Sequence, residues 1–364
     1  MFEKLANQYL CPPGNGVFTV NTAKERKESL HSALYGNVDE VETAWQKSLS
    51  TVSESDDFTV MLGVCSDTGG GILRGANWGP LFLRNAILAQ HGDSYPLDMG
   101  DVRVIPHLLH DKYLNEPTID NCRKALYQGE GEDLAVSPLS ITEKICDAFY
   151  ESHPNKGIFA MGGDHSVSYP LVKSYLAAKK KQGKKAAIIH FDAHTDLLIE
   201  RLGIDLCFGS WCTHILEGLD EPSLLMQYGI RSSGKPKAHW EETFGVKQYW
   251  AQDVLSRGAQ VVADETVEIL KQKGVDEIYV SFDIDGLDAR YASATGTPEV
   301  DGLSPTDAHT IIDTIGQHFP ITGADMVEIA PFVVTENADD EPRATLEAGA
   351  AISAQLIKLM NKNL

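Results

Sequence analysis

Apolar residues in this chain gather in short, nearly unbroken runs set between longer mixed segments. The runs Phe58–Cys65, Gly157–Met161, Ile188–Phe191, 226–231, Asp276–Phe282 and Gly323–Ile329 are too short for buried helices, and β-branched and aromatic residues recur in them. They read as strands covered on both faces. Helix patterns fall between and after them, at Leu81–Gln90, at 139–151, at Ser168–Lys185 and at 341–361. The Lys-rich end of the third suits a helix C-terminus, where the backbone dipole favours cations. Strands alternating with helices predict an α/β fold, a mostly parallel sheet with helices on both faces. In such sheets ligands bind at the carboxyl ends of the strands.

Residues 1–57 break the alternation. Cys11-Pro12-Pro13-Gly14-Asn15-Gly16 is turn material, 23–50 is polar helix with Leu30, Leu34, Val41 and Trp45 as its apolar positions, and 50–57 is an acidic linker. This segment is expected to be an N-terminal arm packed on the main body or on a neighbouring subunit, with the catalytic domain over 58–364. Phe58–Cys65 runs into a glycine-rich loop, Gly69-Gly70-Gly71, that lacks the Gly-Lys-Ser/Thr of a phosphate loop and is expected to form a pocket rim.

The chemistry sits where the predicted strands end. Asp192, His194 and Asp196 follow Ile188–Phe191 at alternate positions, so an extended backbone aims all three the same way. His165 follows the 157–161 run, and Asp283 with Asp285 follow 276–282. Two imidazoles and four carboxylates at one sheet edge would repel one another unless cations neutralise them. A pair of divalent ions would do so and could activate water. A solvated acidic loop is the bland alternative, and apolar runs leading into three such motifs argue against it.

Composition removes other classes. Of 364 residues, 43% are hydrophobic and 23% charged, enough for a large core, and the net charge of −21 argues against a basic nucleic-acid-binding surface. The six cysteines form no C-x-x-C pair and read as buried thiols. With no basic-then-apolar leader and no bilayer-length run, a cytoplasmic location is expected, with no membrane partner.

The three strand-end motifs, Gly162-Gly163-Asp164-His165-Ser166, Asp192-Ala193-His194-Thr195-Asp196 and Ser281-Phe282-Asp283-Ile284-Asp285-Gly286-Leu287-Asp288, resemble the signatures of the ureohydrolase (arginase/agmatinase) family. Arg74-Gly75-Ala76-Asn77-Trp78-Gly79-Pro80, Thr295-Gly296-Thr297-Pro298 and Val327-Glu328-Ile329-Ala330-Pro331 extend the likeness over roughly 58–360. The resemblance implies a three-layer α/β/α sandwich and a binuclear centre, of manganese first and nickel second. It implies one ion on His165, Asp192, Asp196 and Asp283 and the other on Asp192, His194, Asp283 and Asp285. Asp192 and Asp283 would bridge, and Asp196 would also hydrogen-bond the attacking water. Glu328 would hold a guanidinium, a role that suits a carboxylate facing a planar fork. The implied activity is hydrolysis of a linear guanidino compound at a C–N bond with release of urea, in a homo-oligomer (trimer or hexamer).

The chain departs from that pattern just after the second motif. Phe208 stands where relatives carry a proton-shuttling histidine, and His214 is the substitute candidate. A Ser/Asn-rich loop for an amino acid's head group has no counterpart over 197–208. The expected substrate is therefore agmatine-like, a guanidino acid or free guanidine rather than arginine, with Phe208 and Trp211 lining a narrow pocket. Two alternatives are a formiminoglutamase-like hydrolase releasing formamide, with Arg231 as its carboxylate anchor, and a non-catalytic metal-binding relative. His190 is read as a core residue facing away from the metal motif, and His107 and His110, in a segment that also holds Asp98 and Asp101, as residues without special function. For Trp78 and for Trp211, pocket lining and core packing weigh equally.

Overall fold

The computed structural model describes residues 2–17, 21–36, 39–70, 73–92, 95–129, 131, 133–333 and 341–362. Gly71 of the glycine-rich loop lies outside them. Nine strands form one sheet: β1 (Leu10–Cys11), β2 (Thr59–Val64), β3 (Leu97–Val102), β4 (Gly157–Gly162), β5 (Ala186–Phe191), β6 (Leu225–Tyr228), β7 (Lys247–Tyr249), β8 (Glu277–Asp283) and β9 (Ile321–Val327). Their order is β1-β3-β2-β4-β9-β8-β5-β6-β7. All neighbours pair parallel except β1, which runs antiparallel to β3. Six of the strands fall on the apolar runs. β1 and β7 are only 2 and 3 residues long, and β3 is interrupted by Asp98, Gly100 and Asp101, so none stands out in the sequence.

The helices start and stop where local chemistry dictates. Pro305–His318 opens with a capping box of Ser304 and Asp307 and a proline in its first turn, and Ser168–Lys181 closes on three lysines. It ends at Lys181, short of the sequence expectation. The strand expected over 226–231 ends at Tyr228, because Gly229 turns the chain with a φ of 95°. Helix Gly79–His91 packs on the long C-terminal helix Glu341–Asn361, and Pro138–Ser152 packs on Ser168–Lys181, which gives layers of helix, sheet and helix. Phe282, Phe191, Tyr228 and Tyr249 stack ring on ring across β8, β5, β6 and β7, with centroids 4.8, 5.3 and 5.1 Å apart. A slip of one residue would turn every ring to the other face, so the stack fixes the register of the strands that deliver the ligands.

The described part of the first 57 residues packs on this body. Trp45 is fully buried and donates Nε1–H to Met99 O, and the backbone N–H groups of Gly14 and Gly16 donate to Asp101 Oδ2. Asp101 and Asp98 in turn hold Arg84, whose side chain is wholly buried: Nε donates to Asp98 Oδ2 at 2.8 Å, Nη2 to Asp98 Oδ1 at 2.9 Å, and Nη1 pairs with Asp101. Asp101 is thus an anchor of the N-terminal segment, with Arg84 and Asp98 behind it.

Candidate metal centre

Four adjacent central strands, β4, β9, β8 and β5, end at the same edge. The chain crosses from one half of the sheet to the other between β4 and β5, so this is a topological switch point, where open parallel sheets leave a crevice. Each strand contributes one motif to it.

After β4, Gly163 passes within hydrogen-bond range of Val64 O, and a Cβ there would lie 2.1 Å from Ser66 O. Only glycine fits. The Asp164 carboxylate then accepts N–H bonds from Ser166 and Gly69, which closes the turn and aims the His165 ring at the crevice. After β5, Asp192 Oδ1 accepts the backbone N–H of His194 at 2.6 Å, and Ala193 N donates to Asp285 Oδ1 at 3.0 Å. After β8, Asp283 Oδ1 accepts the N–H of Asp285 at 2.9 Å. Asp196 takes a positive φ of 50° and is held by Trp211, whose Nε1–H donates to Asp196 Oδ2 at 2.8 Å.

The result is a charge arrangement that asks for cations. His165 Nδ1 lies 3.1 Å from each of Asp192 Oδ2, Asp196 Oδ2 and Asp283 Oδ2. It is buried, and none of the three contacts has hydrogen-bond geometry. The other ring nitrogen settles why. Nε2 lies 3.1 Å from Ser281 Oγ, and that hydroxyl spends its proton on Asp325 Oδ1 at 2.8 Å. Ser281 must accept, so Nε2 carries the imidazole proton and Nδ1 presents a lone pair to three carboxylate oxygens. Lone pairs do not converge without a positive charge between them. A second group repeats the pattern: His194 Nδ1 lies 3.3 Å from Asp192 Oδ1 and 3.2 Å from Asp285 Oδ2. Asp192 belongs to both groups, one oxygen facing each histidine. The residues fit a pair of divalent cations, with nitrogen and oxygen donors of the kind first-row metals take.

The protonation energetics agree. Burial pushes the Asp283 carboxyl well above the usual carboxylate range, and the charges of Asp285 and Asp192 push it further. Burial alone would lower His194, but Asp285 and Asp192 carry it up to about 12. Without metal the site would have to collect protons, the usual signature of buried like charges.

Glu328 directly follows β9, buried, with a φ of 63°. Its N–H donates to Gly163 O, and its Oε1 accepts the N–H of His165 at 2.9 Å. A Cβ on Gly296 would lie 3.2 Å from Oε2, so that glycine keeps the second oxygen clear. Burial raises the Glu328 carboxyl well above its ordinary value, with Asp283 and Asp164 adding to the effect. The structure therefore brings His165, Asp192, His194, Asp196, Asp283, Asp285 and Glu328 together.

Other expectations are displaced. Trp211 takes the core place of its two expected ones: it is fully buried, supports Asp196, and tilts over the His165 ring at 4.9 Å. Phe208 does line a cavity of about 450 Å³, together with Gly69, Gly70, Leu108, Leu109 and Leu202. The glycine-rich loop forms part of that rim, and His107 and His110 face the same space. His214 is turned away, its Nε2 bonded to Asp205 O at 3.0 Å, because the short helix Trp211–Ile215 spends its inward face on Trp211 and Cys212. Trp78 packs edge-on against Phe82 and Phe332. Arg231 cannot anchor a substrate carboxylate. Its guanidinium donates to the backbone carbonyls of Gly229, Asp285, Leu287, Glu299 and Val300, which pin the third motif.

His190 is the clearest correction. It precedes Asp192 by two residues, so the alternation that aims Asp192 at the crevice aims His190 there as well. Its Nε2 lies 3.0 Å from Asp192 Oδ2, and its ring is 5.0 Å from that of His165. The period-two rule contained this result, applied from the correct residue.

A three-layer protein whose parallel strands end in a paired His/Asp centre beside a buried glutamate defines a class of metal-binding α/β proteins. The model of the Arginase family matches residues 58–358, and the chain belongs to that family. It is similar to the mitochondrial agmatinase of Gallus gallus, 37% identical over 179 residues, an alignment covering 47% of this chain and 49% of that protein. The chain thus spans about half the length of that relative. It is 30% identical to the mitochondrial guanidino acid hydrolase of Homo sapiens over 284 residues, covering 74% of this chain and 70% of the other. Among solved structures, a hypothetical agmatinase from Burkholderia thailandensis superposes with a TM-score of 0.63 at 26% identity, over 85% of this chain and 87% of that one.

Proposed function

We propose that this chain is a binuclear-metal amidinohydrolase that cleaves a C–N bond of a linear guanidino compound other than arginine and releases urea. The observation that carries the reading is the unpartnered His165 Nδ1 facing three carboxylate oxygens, with Glu328 tied to the same residue through the His165 N–H. One ion would be held by His165, Asp192, Asp196 and Asp283, the other by Asp192, His194, Asp283 and Asp285, with manganese expected and nickel second. Bound there, the pair would supply Lewis acidity and lower the pKa of water.

The protein's own groups do the rest. Glu328 is held rigid at both its N–H and its Oε1, and its Oε2 is free to accept a hydrogen bond from the planar cation. Ionised, it would orient the guanidinium with its central carbon toward the carboxylate cluster. Asp196 is fixed through Oδ2 by Trp211; its Oδ1 is the atom proposed to take the proton of the attacking water and return it to the departing nitrogen. That route needs no residue at the Phe208 or His214 positions.

The substrate tail is read from the Phe208 cavity, whose rim residue Gly69 donates its N–H to Asp164, the neighbour of His165. Its wall is mostly apolar, and its one guanidinium, Arg201, lies 5.1 Å over the Phe208 ring. Arg201 would repel the ammonium of an agmatine-like tail and attract a carboxylate, so a guanidino acid is favoured over agmatine, with free guanidine the small-substrate limit. A cytoplasmic homo-oligomer, trimeric or hexameric, is part of the same proposal. The test is a urea-release panel on the manganese- and nickel-loaded protein with guanidino acids, agmatine, guanidine and arginine. Guanidino acids should lead, and Arg201→Ala should raise their KM while leaving kcat largely in place. No urea from any member would overturn the activity; a lead for agmatine would overturn only the tail.

A further inference from the structure

His190 is in contact with the centre, yet nothing in the proposed chemistry uses it. Its environment determines where its proton lies. Three groups form a directional chain behind it. Trp250 Nε1 donates to Gln248 Oε1 at 2.8 Å, Gln248 Nε2 to Gln227 Oε1 at 2.7 Å, and Gln227 Nε2 to both Thr195 O at 2.7 Å and His190 Nδ1 at 2.9 Å. The His190, Gln227 and Gln248 side chains are fully buried.

Amide orientation is not visible in itself, but here it is forced. An indole N–H can only donate, so the oxygen of Gln248 must face Trp250. Its nitrogen then faces Gln227, which must answer with oxygen. That leaves the two N–H bonds of Gln227 for Thr195 O and for His190 Nδ1. Turning Gln227 over would set oxygen against the Thr195 carbonyl and nitrogen against nitrogen. Nδ1 therefore accepts, and the Cys212 thiol, 3.6 Å from it, is a second donor on the same side. The ring proton is left on Nε2, which points at Asp192 Oδ2.

We propose that His190 is a positioning residue for the shared metal ligand Asp192, and that its Nε2–H tautomer is dictated by the donor-only indole of Trp250 through Gln248 and Gln227. Held as a neutral donor, His190 occupies one lone pair of Asp192 Oδ2 and leaves the other for the ion on the His165 side. It also keeps His190 from becoming a ligand itself, since the nitrogen facing the centre is protonated. A carboxylate shared between two ions must not rotate, and this bond together with the His194 N–H on Oδ1 fixes both of its oxygens.

The inference rests on Asp192 being a metal ligand, and two readouts on the full-length protein separate the two ideas. Manganese and nickel affinity, measured by competition with a chromophoric chelator, should fall about 10- to 100-fold in His190→Leu. His190→Gln, which keeps an N–H donor, should recover most of it, and Trp250→Phe should show a smaller loss. The ¹⁵N spectrum of histidine-labelled, metal-free protein should place the His190 proton on Nε2, with a mixture of tautomers in Trp250→Phe. A wild-type proton on Nδ1, or unchanged affinity in His190→Leu, overturns the proposal. So does loss of one whole ion in both His190 variants, which would make the ring a ligand. If His190→Leu does not fold, the wild-type and Trp250→Phe spectra decide. If the wild type binds no metal, the centre itself has failed, and the spectrum still reads the tautomer.

Discussion

Two clusters of buried carboxylates lie in this molecule, and they are built on opposite principles. Around Arg84, two aspartates meet one guanidinium, and three of its nitrogens are engaged with them. The remaining oxygen of Asp101 is covered by the Gly14 and Gly16 N–H groups. At the strand ends, four aspartates and a glutamate meet three imidazoles, and His165 Nδ1 finds no hydrogen bond among the described residues. The first cluster is complete within the protein and can only hold things together. The second is short of positive charge, and that shortage marks it as a place for something the chain does not supply. Burial and acidity are shared by both; hydrogen-bond accounting tells them apart.

The contrast can be attacked from either side. The largest effect is expected from Asp192→Asn, which removes the charge common to both ligand groups. Metal analysis should find the pair unloaded and urea release absent. Retention of both ions would sink the ligand assignment. Arg84→Leu should act in reverse. It leaves two buried aspartates without their cation, a loss of about 3–5 kcal/mol by denaturant titration. The fraction that remains folded should still load metal.

Smaller effects probe the supports. Trp211→Phe keeps the ring over His165 but deletes the bond to Asp196, and should weaken metal affinity or turnover about 10- to 100-fold with little change in melting temperature. Smallest is Asp288, a self-neutralised carboxylate at the edge of the centre. Burial would raise its pKa, but the Arg290 side chain and the N–H groups of Arg290 and Gly302 hold it down to about 2. A depressed carboxylate stabilises the fold above its unfolded value and loses that contribution as pH falls through its folded one. Asp288→Asn should therefore cost roughly 1 kcal/mol at neutral pH, and the gap to wild type should close between about pH 4 and pH 2. A gap independent of pH would refute the ion-pair account.

The sheet and the convergence of the six proposed metal ligands were legible because both follow local rules. Apolar runs mark buried strands, and the ligands stand one or two residues apart at their ends, so strand geometry alone aims them together. The supports were not legible. Trp211 reaches Asp196 across fifteen residues, and Arg84 meets Asp98 and Asp101 through the packing of a helix on β3; no spacing encodes either contact. Nor does spacing show that His214 faces outward, since that depends on which side of a five-residue helix Trp211 claims. The polarity of the Trp250–Gln248–Gln227–His190 chain exists only when strands β5, β6 and β7 lie side by side.

The family match begins at residue 58, yet the sheet does not. Leu10 and Cys11 pair with Val102 and Asp101 along the outer side of β3. An unpaired strand at that position would offer its backbone to any other extended chain, a standing invitation to aggregate. The short N-terminal strand acts as a selvedge, finishing the border of the weave so that it does not catch. A protein trimmed to the family's own limits would keep every proposed ligand of the metal centre and lose the hem that covers the border of β3.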